Sequence, residues 1–123
     1  MSFLRSVTVS VTTNSSGEST GFSANVTGKV HMVEYVPVPT THISSAAAVT
    51  VKGEESSRAI LTLAALSSSP GFWYPRQPTH RSTSGSTFAS VEGVQVPVVN
   101  ERVRFVVSGG GNGLSGTFRV ILE

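Results

Sequence analysis

The chain has 123 residues, no cysteine, charged residues at only 13% and a formal net charge of +2. That length suits one domain spanning residues 1–123 with its own core, and the missing cysteines exclude disulfides and thiolate metal sites. Nine Lys and Arg residues scattered along the chain make no stripe to track phosphates, and no stretch approaches the roughly eighteen apolar residues of a membrane span, so neither nucleic acid nor a membrane is an expected partner.

Valine occurs 19 times and threonine 13 times. Both branch at Cβ, which stiffens χ1 and favours a pleated surface over a helix. Val7, Val9 and Val11 alternate with Thr8, Ser10 and Thr12, the period of a strand with one buried face. Asn14 to Gly17 reads as a turn. Phe22 to Val36 reads as one long extended segment, with Gly28 the place for a bulge that lets it serve two sheets. Pro37 and Pro39 end it, and Thr40 to Ser45 is loop.

Ala48 to Lys52 is a short strand. Arg58 to Leu66 suits a buried strand or two helical turns, and its brackets, Gly53 before and Ser67 to Gly71 after, favour the strand. Phe72 to Ser90, punctuated by Pro75 and Pro78, is expected to be the longest loop. Val94, Val96 and Val98 alternate again, Arg102 to Val107 is a strong strand, and Thr117 to Glu123 is the last. The faces Val103, Phe105, Val107 and Phe118, Val120, Leu122 are expected to pair as a hairpin across the glycine turn from Gly109 to Gly116. About seven or eight strands with frequent turn signals predict an all-β, antiparallel β-sandwich, with jelly-roll and immunoglobulin-like topologies both open.

The chemistry-bearing patterns are few. Gly111-Asn112-Gly113-Leu114-Ser115-Gly116 spells GxGxxG, but a strand follows it, and without a helix there is no dipole to hold pyrophosphate. No cofactor is expected. His31, His42 and His80 stand eleven and thirty-eight residues apart, without the short spacing typical of zinc ligands, so no metal is expected either. Aspartate is absent, and Glu54-Glu55 is the one close carboxylate pair. Side chains of neighbouring residues on a strand point apart. No catalytic residues are assigned and the chain is not expected to be an enzyme.

Phe72, Trp73, Tyr74 and Arg76, with His80 and Arg81 following, concentrate the single tryptophan and two of the seven arginines within ten residues. Aromatic residues and arginine carry most binding energy at protein interfaces. These six are the expected protein interface, with the alternative that the rings cap one end of the core.

Trp73-Tyr74-Pro75-Arg76 with Thr79-His80, then Val96-Pro97-Val98-Val99-Asn100-Glu101-Arg102-Val103, then Gly116-Thr117-Phe118-Arg119-Val120, resembles small virion structural proteins encoded in the head gene modules of tailed bacteriophages. The resemblance implies a capsid decoration or cement protein. Such a protein stabilises the shell by contacts with the major capsid protein and self-associates as a dimer or trimer. It is made in the host cytoplasm, the opening Met1 to Arg5 lacking the apolar core of a signal peptide, and ends in the virion. A tail or head-tail connector component fits the same composition. From a different class, a carbohydrate-binding module would use Trp73 or Tyr74 as a stacking platform.

Overall fold

The computed structural model describes residues 4–66, 70–77 and 94–123, and ten β-strands carry most of them: β1 (Arg5–Thr12), β2 (Ser19–Phe22), β3 (Val26–Pro37), β4 (Ala48–Gly53), β5 (Ala59–Leu63), β6 (Gly71–Trp73), β7 (Arg76–Gln77), β8 (Val94–Glu101), β9 (Val103–Ser108) and β10 (Ser115–Leu122). No helix occurs among the described residues. The strands form two antiparallel sheets packed as a β-sandwich. One runs β1-β10-β3-β8-β7, with β6 also on β3; the other runs β2-β9-β4-β5. Beyond the seven or eight strands read from the sequence, the additional ones include the short edge pieces β6 and β7.

Alternation supplies the core. Val9, Val11, Val30, Val33, Tyr35, Val96, Val98, Phe118, Val120 and Leu122 line the inner face of the first sheet, and Val49, Val51, Ile60, Val103, Phe105 and Val107 that of the second. Ile43, Ala47 and Leu66, from segments outside the strands, complete it. Burial of such side chains stabilises by about 1.5–3 kcal/mol each before the entropy of ordering is set against it.

The expected hairpin between the last two long strands does not form. β9 pairs with β2 and β4, whereas β10 pairs with β1 and β3. The glycine segment between them crosses from one sheet to the other, with positive φ at Gly109, Gly111 and Gly113. Period two had identified which side chains face inward; it carries no information about which strand lies alongside. The inner rows of β9 and β10 meet face to face through the core, where Phe105 stacks on Phe118.

Phe22 to Val36 is likewise two strands in different sheets. The break falls at Ser23–Asn25, where no glycine or proline announces it. Ser23 fixes the crossing by a reciprocal pair: its N–H donates to the Val103 carbonyl at 3.0 Å and its hydroxyl accepts from the Val103 N–H at 2.9 Å. Gly28 does sit at a register shift between β3 and β8, with φ of 152°. Its Cα faces the Arg5 guanidinium and the Glu123 carbonyl, each 3.0 Å from where a Cβ would stand.

A β-strand at Ala59–Leu63 settles the ambiguous segment. It pairs with β4 through Val51↔Leu61 and Val49↔Leu63.

Candidate interaction site

Phe72 and Trp73 do not lie in a loop. β6 pairs with β3 in the register Val33↔Trp73, Glu34↔Phe72 and Tyr35↔Gly71. Val33 and Tyr35 are fully buried, so Trp73 shares their inward side and packs against the core. Its ring folds over Gly71, where a Cβ would meet Cη2 of the indole at 2.6 Å. Phe72 takes the opposite face and is 54% exposed, beside Glu34, which forms an ion pair with Arg119 at 2.6 Å. Tyr74 is 58% exposed and meets the His31 ring edge-on, centroids 6.1 Å apart.

Pro75 is buried, and Arg76 follows it into β7, opposite Gln95 on β8. The Arg76 guanidinium donates to the carbonyls of Pro75 (2.7 Å) and His31 (3.2 Å). Arg76 is thus partly committed to holding the strand that follows the aromatic run. His80 and Arg81, the other two expected interface residues, lie outside the described residues.

Behind Tyr74 the fold assembles three polar side chains that are distant in sequence. Gln95 Nε2 stands 3.0 Å from His31 Nδ1 and donates to Glu123 Oε2 at 2.8 Å, and that carboxylate oxygen is 3.4 Å from His31 Nδ1. A depression of about 470 Å³ lined by Lys29, Val94, Gln95 and Pro97 opens beside them. Nothing in the local sequence signals this cluster, because β3, β8 and the end of β10 contribute one residue each.

A second set of charged groups holds the other end of the sandwich. Glu101 is buried, and its Oε1 accepts from the Glu55 and Ser56 amides and the Ser56 hydroxyl, all at 3.1 Å. Burial pushes this carboxyl up, and the hydrogen bonds from Ser56, Glu55 and Val99 outweigh burial and hold it below the usual carboxylate range. Glu54 takes a two-pronged contact from Arg102, whose guanidinium lies 4.1 Å over the Phe22 ring. That contact lowers the Glu54 carboxyl and raises Arg102. The two glutamates of the β4–β5 turn therefore have separate roles, Glu54 through its carboxylate as an ion-pair partner and Glu55 through its backbone amide.

Three of the GxGxxG amides are consumed within the protein. Gly113 N–H donates to the Thr13 carbonyl, Leu114 N–H to the Thr13 hydroxyl and Ser115 N–H to the Thr41 carbonyl. A phosphate cradle needs such groups free. His42 Nδ1 lies 3.1 Å from the Ile43 carbonyl, and no group of three metal-ligating side chains occurs among the described residues.

No protein-family profile matches the chain, and no curated protein matches it. Among solved structures, the crystal structure of FLHE is 16% identical to this chain, covering 99% of each chain with a TM-score of 0.47. A likeness at that level says nothing about function or partner.

Proposed function

We propose that this chain is a structural protein of a tailed-phage virion, a capsid decoration protein that docks on the major capsid protein through the β6 edge of its larger sheet. The observation that supports docking is the exposure of Phe72 and Tyr74 on either side of an inward-facing Trp73. Two large rings lie in solvent while the residue between them packs on the core; Phe72 is held by strand pairing and Tyr74 follows directly on the packed indole, so both lose little freedom on contact. Arg76, tied to two carbonyls, sits at the rim of the same patch. The virion assignment itself rests on the resemblance of the three sequence segments. Many copies on a symmetric shell add by avidity, so a small contact per copy is sufficient.

Mass spectrometry of purified virions tests this directly. The chain should be present in amounts comparable with the major capsid protein and should leave with the shell on fractionation. Co-fractionation with tail proteins would favour a tail or connector component, and absence from particles would contradict the virion reading.

One observation favours a second reading, a carbohydrate-binding module. Tyr74 is exposed and meets His31, whose ring lies against Gln95 and Glu123, and Gln95 with Lys29 lines the neighbouring depression, a mix of apolar and polar groups suited to a sugar. Binding on a glycan array that depends on Tyr74, with no binding to capsids, would select it.

A further inference from the structure

We propose that β1 is a self-pairing edge, at which a second copy of this chain joins antiparallel about a twofold axis through Val9 and makes the larger sheets of two copies continuous. The inference depends on β1 alone and is independent of the Phe72 and Tyr74 patch.

β1 ends the larger sheet. It pairs with β10 over all eight residues, Arg5↔Leu122 through Thr12↔Ser115, without a register shift. No other backbone partner occurs for residues 5–12 among the described residues. Among the described residues, alternate N–H and C=O groups of a long, regular strand thus have no backbone partner, an arrangement that natural proteins usually blunt with bulges, prolines, inward charges or short edges. The other edges have those protections. β2 and β5 span four and five residues, and β6 and β7 three and two. The far side of β8 carries Pro97, whose carbonyl takes the Arg58 guanidinium, and Asn100 at a φ of 47°.

The pattern along β1 identifies the occupant. Antiparallel pairing of β1 with itself about Val9 sets Val7 against the partner's Val11, Thr8 against the partner's Ser10, and Ser6 against the partner's Thr12. Every valine then meets a valine on the buried side and every hydroxyl meets a hydroxyl on the wet side, both favourable cross-strand pairs. A slip by one residue would set valines against hydroxyls on both faces. A slip by two, centred on Thr8, would bring Arg5 opposite the partner's Val11. The strand's one charge, Arg5, is turned back onto the Thr27 carbonyl, so two copies approach without repulsion and a charged peptide has nothing there to read.

Sedimentation velocity from micromolar to submillimolar concentration tests the pairing with two double variants on the exposed face. The parent should form a dimer. T8K/S10K sets like charges against each other at both symmetric contacts and should weaken association by about tenfold or more. T8E/S10K sets opposite charges there and should restore it, which a twofold through Thr8 would not do. Thr8 lies opposite Arg119 on β10, so melting curves of both variants establish that each monomer folds. If either fails to fold, hydrogen exchange on the parent decides, since the β1 amides pointing away from β10 should gain protection as concentration rises. A parent that stays monomeric with those amides unprotected, or a dimer indifferent to T8K/S10K, would overturn the proposal.

Discussion

Phe105 of the smaller sheet and Phe118 of the larger stack across the interior, ring centroids 4.8 Å apart and 26° from parallel, and Tyr35 extends the stack at 5.1 Å from Phe118. The three are the largest fully buried side chains among the described residues. Most of their neighbours in the core are valines, too short to span the gap between two sheets or to refill a void. Phe118→Ala should therefore cost about 3–5 kcal/mol, a large part of the roughly 5–15 kcal/mol that holds a domain of this kind together. Denaturant unfolding measures it, and a loss below about 1 kcal/mol would mean that the rings do not carry the core.

Tyr35 gives the opposite expectation. Its hydroxyl is buried and completes no hydrogen bond, and burial pushes the phenol above its ordinary value although the Ile43 backbone pulls the other way. Removing a polar group that lacks a full partner relieves a desolvation cost. Tyr35→Phe should be neutral or stabilising by up to about 1 kcal/mol. Clear destabilisation would mean that the hydroxyl has a partner in solution.

Glu101 makes the fold acid-sensitive at one place. Its carboxyl is held below the ordinary value, so the folded chain keeps a charge where the unfolded chain would take up a proton. The stability this contributes is present above the unfolded carboxylate range and drains as pH falls through the lowered folded value. Glu101→Gln should cost about 1–3 kcal/mol at neutral pH, the difference between charged and neutral acceptors for the Glu55 and Ser56 donors. The gap between parent and variant should close on acidification. A gap that stays constant with pH would contradict the assignment.

The sequence carried the faces of the strands but not their partners. Val7, Val9 and Val11, or Val103, Phe105 and Val107, announce an inward row because side chains alternate with every residue. The same rows are equally compatible with lying side by side or face to face, which is why the expected hairpin is a crossover. The switch at Ser23 was illegible because it depends on a hydroxyl meeting the Val103 backbone eighty residues away. In the aromatic run, composition singles out the residues as a group, and only the Val33↔Trp73 register separates the inward indole from the outward Phe72. The Gln95, His31 and Glu123 cluster has no local signature at all.

The measurement that bears most directly on the docking account is alanine truncation of the aromatic run, read out as both melting temperature and co-sedimentation with purified capsids. Trp73→Ala should lower the melting temperature, because the indole packs on the core. Phe72→Ala/Tyr74→Ala should melt like the parent and lose capsid binding. A double variant that binds capsids as well as the parent would contradict the account.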